Sequence, residues 1–154
     1  MPPKEPESAD MHDAGATPDA DVLIVGAGAA GLATAIFTAR ERRDVRVVLL
    51  DGARKPGAKI LVSGGGRCNV TNARVTERDF HGASPGAIRQ VLKALPVKDT
   101  VRFFADLGVP VHEEPLGKLF PDSGRARDVL DALLREAARL GVVRLDGHRV
   151  SALE

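Results

Sequence analysis

A chain of 154 residues has the length of one domain and can bury one core. Formal net charge is +1 and hydrophobic residues make up 44%; a single cysteine excludes an intrachain disulfide and a multi-cysteine zinc site. No apolar run approaches the roughly 18–20 residues of a membrane span, the histidines (His12, His81, His112, His148) show no metal-ligand spacing, and without Tyr or Trp a nucleic-acid surface lacks its stacking residues.

In chain order, residues 1–20 hold Pro, Asp, Glu, Ser and Ala with almost no large apolar side chain, which predicts a disordered acidic tail. They lack the basic start and apolar core of a secretory signal, so a soluble, cytoplasmic protein is expected. Residues 21–154 are expected to form the folded unit. DVLIVG, from Asp21, is a short β-branched run ending in glycine and reads as a buried parallel strand. A helix over Ala29–Arg42 follows, with Leu32, Ile36 and Ala39 on one face; VRVVLLD, from Val45, reads as the second strand of a βαβ unit.

After Asp51 comes a loop rich in glycine and bases. Arg54, Lys55, Lys59, Arg67, Arg74 and Arg78 face only Glu77 across residues 52–78, a cationic stretch suited to an anionic ligand. Helical period returns at Ile88, Val91, Leu92 and Leu95, is interrupted by Pro96, and resumes through Val97, Val101, Phe104 and Leu107, predicting two short helices. VPVHEE and GKLFP read as a hairpin. Ala126, Val129, Leu130, Leu133, Leu134, Ala137 and Ala138 form the strongest amphipathic stripe, with Ser123 or Asp122 as the expected cap and Gly141 as the stop. VVRLD then reads as a third parallel strand, and HRVSALE as a further extended segment. The segment between the second and third strands is too long for a simple crossover and is expected to be a helical insertion.

Gly26, Gly28 and Gly31 in VLIVGAGAAG have G-x-G-x-x-G spacing. The first permits a tight turn, the second lets a pyrophosphate approach the backbone, and the third allows helix and strand to pack closely. Amides at the helix head, from Gly26 through Ala27, Ala29 and Ala30 to Gly31, would face the phosphates. Asp51 lies twenty residues beyond Gly31 at the end of the second strand, placed to accept from ribose hydroxyls. A carboxylate there favours FAD or NAD over NADP, an inference that neighbouring Arg54 and Lys55 soften. Gly64, Gly65 and Gly66 in LVSGGGRCNVTN require unusual backbone dihedrals or close approach to something flat, and Lys59 and Arg67 bracket them with positive charge.

VLIVGAGAAGL, GAKILVSGGGRCNVTN and GKLFPDSGRARDVLDALL resemble successive blocks of the aminoacetone-oxidase-like, BaiN-type flavoproteins, NAD(P)/FAD-dependent oxidoreductases with two dinucleotide-binding folds. The resemblance covers the chain after the tail. It implies a Rossmann-like α/β FAD-binding fold, with FAD held by Gly26 to Gly31 and Asp51. It also implies that Ser63, Gly64, Gly65, Gly66, Arg67, Cys68 and Asn69 line the flavin end, that Lys59 and Arg67 neutralise phosphate or hold the loop, and that the main chain of Val150 contacts adenine. NAD(P)H is the electron donor it suggests, and a small molecule the substrate. Members continue into an inserted second domain and a returning segment, so an incomplete fold is expected here.

Cys68 has no partner for disulfide exchange and reads as a packing residue rather than a nucleophile. No general acid or base stands out, and His112 and Glu113 read as hairpin surface. The rival readings are an NAD-dependent dehydrogenase and a non-catalytic nucleotide-binding remnant; a tRNA-modifying flavoprotein is more distant, for want of a long basic surface. Oligomeric state is not legible, and neither metal, nucleic acid nor membrane is expected as a partner.

Overall fold

In a computed structural model, which describes residues 18–152, β1 (Val22–Val25) runs parallel to β2 (Val47–Asp51), with Val22 opposite Val47 and Val25 opposite Leu50. β2 pairs on its other side, again in parallel, with β6 (Val143–Asp146), giving the order β1-β2-β6. The βαβ reading is met: α1 (Ala29–Glu41) joins the first two strands and α5 (Ala126–Arg139) precedes the third. Residues 1–17 of the expected tail lie outside the described residues.

Period decides which faces are buried. Leu32, Ala35, Ile36 and Ala39 recur on one side of α1, Val129, Leu130, Leu133 and Ala137 on one side of α5, and these stripes pack with Val47 and Leu49 of β2 into the main core. The opposite face of the same sheet is barely covered at its margins. Leu23, Val25 and Val143 there are 47%, 58% and 43% exposed, while Val48 and Leu50 between them are buried.

The insertion contains α2 (Ala58–Val62), β3 (Thr71–Asn72), α3 (Pro85–Ala94), α4 (Val97–Asp106), β4 (Val111–Glu114) and β5 (Lys118–Pro121). β4 and β5 make the expected hairpin, and β3 joins it in a three-stranded antiparallel sheet of order β3-β5-β4. Phe103 of α4 meets Phe37 of α1 with ring centroids 5.1 Å apart, tying insertion to main layer.

Three expectations need correction. α2 and β3 were not read from the sequence, because each is shorter than the window in which a period declares itself. Neither Ser123 nor Asp122 caps α5: the N-cap is Arg125 without a side-chain cap bond, since Gly124 (φ +63°) turns the chain first and Asp122 is engaged by His112 Nδ1 at 3.0 Å. Val150 is not in a strand. Gly147 (φ +76°) bends the chain out of β6, and its N–H donates to Ala53 O while that of His148 donates to Asp51 O, folding the segment over the end of β2.

No helix among the described residues is long and apolar enough to cross a membrane.

Candidate cofactor-binding site

The three glycines of the first turn differ in what the chain asks of them. Gly26 has φ +100° and turns the chain off β1, its N–H donating to Leu50 O at 2.7 Å. Gly31 is a contact requirement: a Cβ there would lie 1.8 Å from Gly26 O. Gly28 is neither. Its backbone is extended (φ −82°, ψ −173°), a conformation any residue adopts, and nothing lies within 4 Å of where its Cβ would be.

The open space at Gly28 faces the head of α1. Gly28 is that helix's N-cap, makes no side-chain cap bond, and is followed by a first turn without acidic residues. Uncapped N–H groups and the positive end of the helix dipole there suit an anion.

Asp51 is joined directly to this turn. One carboxylate oxygen accepts from Ala27 N at 2.6 Å and the other from Ala53 N at 2.8 Å, so the side chain clamps the glycine turn to the end of β2. Each oxygen keeps a further lone pair for an outside donor such as a sugar hydroxyl.

Two cavities meet at the turn. One, of about 300 Å³, lies among Asp51, Ala53, Lys55, Gly57 and Ala58; the other, of about 550 Å³, runs from Val25 past Ala29, Ala30 and Gly31 toward Ser63, Cys68 and Asn69. Gly26, Gly28 and Lys59 line both, so they form one elongated cleft. Its shape and chemistry fit a dinucleotide: a cationic, amide-rich middle, a carboxylate at one end and apolar walls at the other.

The triple-glycine segment is a tight left-handed bend, with φ of +55°, +69° and +87° at Gly64, Gly65 and Gly66. Cys68 N closes it onto Ser63 O at 3.0 Å. Ser63, Cys68 and Asn69 at its two ends line the cleft, whereas Gly64, Gly65, Gly66 and Arg67 do not. Gly64 sits against the Phe120 ring, which a Cβ would approach to 2.7 Å. Arg67 stacks over the same ring, 4.1 Å from its centroid, and pairs with Glu114. Of the two roles expected for Arg67, the observed contacts are those of holding the loop.

Cys68 is buried with φ +64°, and burial pushes its thiol up, partly opposed by a hydrogen bond with Ser63. A raised thiol is a poor nucleophile. Val150 lines neither cavity, although the bonds from His148 and Gly147 bring its segment to the Asp51 end. His112 and Glu113 are exposed on β4, away from the cleft.

Sequence reasoning missed several lining residues. Lys55, read in the sequence only as part of the cationic stretch, adds a second cation at the Asp51 end. Ile60, Phe104, Val129 and Leu133 wall the other end. The last three carry an ordinary core signature, and nothing in spacing alone separates a core stripe from a cleft wall.

The model of the HI0933-like protein Rossmann domain matches residues 20–154. The chain is 39% identical over 131 residues to a 3-dehydro-bile acid delta(4,6)-reductase of Clostridium scindens, and 37% identical over 132 residues to a ribosomal RNA dihydrouridine synthase of Haemophilus influenzae. These alignments cover 85% and 86% of this chain but 32% of each relative, so it spans about a third of their length. Its fold is similar to that of a solved 3-ketosteroid-delta4-(5alpha)-dehydrogenase from Rhodococcus jostii RHA1 (TM-score 0.61, 19% identity, 87% of this chain and 39% of that one) and to that of Thermovibrio ammonificans THI4 (TM-score 0.53, 16% identity, 83% of this chain and 38% of that one).

Proposed function

The chain belongs to the HI0933-like Rossmann-domain family, an FAD-binding oxidoreductase family, and on that premise we propose that it is the FAD-binding part of a flavin-dependent oxidoreductase acting on a small molecule. The observation that carries this reading is the space at Gly28. Neither the backbone conformation nor a neighbouring atom requires glycine there, yet Gly28 lines both cavities at a helix head without a side-chain cap bond.

In this reading, amides from Gly26 to Gly31 hold the diphosphate, and Lys59 and Lys55 supply positive charge on either side of it. Asp51 accepts from the ribose while bracing the turn through Ala27, and the backbone of Val150 approaches the adenine. Ser63, Cys68 and Asn69 flank the flavin end, and Gly64 to Arg67 keep that loop in place through Phe120 and Glu114. When bound, FAD supplies hydride or electron transfer, with NAD(P)H as donor; the protein supplies orientation and electrostatics. Residues 21–154 form the FAD-binding unit, in the cytoplasm, where a lone free thiol such as Cys68 is at home.

Titrating the chain with FAD while following flavin fluorescence tests the reading. Saturable quenching, with the flavin absorbance retained after gel filtration, supports it; a colourless protein that binds NAD instead supports the nicotinamide-dependent alternative, and no response to either supports the non-catalytic remnant. The Haemophilus relative's name favours a second reading, in which RNA is the substrate. Against it, several arginines, among them Arg42, Arg67 and Arg125, are paired with carboxylates of this chain. Filter binding of ribosomal RNA separates the two.

A further inference from the structure

The hairpin of β4 and β5 turns one face to the triple-glycine bend. Side chains alternate along a strand, so His112 and Glu114 of β4 share a face with their register partners on β5, Phe120 and Lys118. Arg67, the residue that ends the bend, lies on that face: its guanidinium covers the Phe120 ring and its Nη1 donates to Glu114 Oε1. Phe120 beneath it is buried.

The same Glu114 oxygen has a second neighbour. His112 Nε2 lies 3.6 Å from Oε1, and across the ring Nδ1 lies 3.0 Å from Oδ1 of Asp122, just past β5. Four side chains therefore run in line from hairpin to loop, Asp122 to His112 to Glu114 to Arg67. A neutral imidazole has one N–H and can donate to only one of its two carboxylates, leaving a lone pair turned to the other. A charged imidazole donates to both, and it brings the four side chains from one excess negative charge to balance.

No other charged group among the described residues completes this line. Lys118 makes no ion pair with Glu114, and neither Glu113 nor the charged residues of α4, which packs on β4 (Lys98, Asp99, Arg102 and Asp106), pair with the ring or with its two carboxylates. Asp128, Asp131 and Arg135 of α5 share a hollow with Asp122 alone.

We propose that His112 and Glu114 are positioning residues for the triple-glycine loop. Protonation of His112 fixes Glu114 from a second side, Glu114 holds Arg67, and Arg67 holds the loop whose ends, Ser63, Cys68 and Asn69, line the cleft. Across the range in which imidazoles change charge, about pH 5–8, the loop is then held most firmly at the acid end. A matching rise in FAD affinity rests on the flavin reading; the coupling of ring to loop does not. His112 and Arg67 are about half exposed, so solvent screens the effect and it should amount to about two- to fivefold in affinity.

The test follows the His112 ring and the backbone amides of Gly65 and Cys68 by NMR in the full chain across that pH range, with FAD titrations in the same samples. In the natural chain the amides should shift with the same midpoint as the ring, and FAD should bind more tightly at the acid end. Glu114→Gln keeps the side chain's shape but removes the charge that joins His112 to Arg67: the ring should still titrate, the amides should stop following it, and the affinity should lose its slope. His112→Gln should remove the slope as well. The midpoints in the natural chain decide the matter even where a variant fails to fold.

Amides that ignore the titration of the ring, a slope that survives both substitutions, or an affinity that falls as the ring becomes charged would overturn the proposal. Coupled amides without FAD binding sustain the coupling and sink the flavin reading, and FAD binding with unmoved amides does the reverse.

Discussion

At the scale of single residues, Asp51 does more than spacing suggests. Its two oxygens accept from two different amides, Ala27 N and Ala53 N. Asparagine can accept on only one side, so Asp51→Asn leaves one amide facing an NH2 group. Loss of a charged acceptor of this kind costs about 1.5–3 kcal/mol, and FAD affinity should fall roughly ten- to a hundred-fold, read by fluorescence titration. Gly31→Ala tests a different force. Its Cβ would meet Gly26 O at 1.8 Å, so strand and helix must part, and a destabilisation of about 1–3 kcal/mol is expected in urea melts. The glycine spacing and the acidic residue were legible in the sequence, since turn, close approach and strand end each demand a residue type. Which amides the carboxylate would grip was not, because hydrogen-bond partners are chosen by the folded loop. Arg67 makes the same point: its charge was legible, but its stacking on Phe120 depends on a hairpin some fifty residues away.

Among elements, α5 was the most legible, because seven apolar positions at helical period leave little choice of buried face. Glu136 is the exception within it, a carboxylate only 7% exposed. Arg139 on its own helix and Arg40 on α1 both bond it, at 2.6 and 2.7 Å, and hold its carboxyl down to about 2 from an ordinary value of 4.5. Sequence could not pair positions 96 residues apart. A carboxyl depressed on folding stabilises fully above its unfolded value, and that contribution is lost as pH falls toward its folded value. Stability of the natural chain should therefore fall between pH 4.5 and about 2, more steeply than that of Glu136→Gln, which should already be weaker at neutral pH by about 1–3 kcal/mol. Parallel denaturation curves at pH 7 and in that acid range check both statements; equal acid sensitivity would assign the effect to other carboxylates. By contrast α2 and β3, five and two residues long, carry no period of their own; α2 is anchored by Ile60 in the main core and β3 by its pairing with β5.

For the whole molecule, the parallel sheet, the crossover helix and the hairpin were all readable, and they position everything the site uses. What was not readable is how the insertion returns: β3 pairs with β5 rather than staying in a loop, and Phe103 closes against Phe37. The central claim concerns a gap that the fold leaves for a ligand, and Gly28→Val addresses it most directly. Valine suits the extended backbone there and its Cβ meets nothing within 4 Å, so the chain should still fold without ligand, weakened by no more than about 1 kcal/mol for a branched residue at a helix N-cap. FAD titration of the same protein should show binding abolished. If the variant binds FAD as the natural chain does, the space at the head of α1 is not a diphosphate site and the flavoprotein account is contradicted.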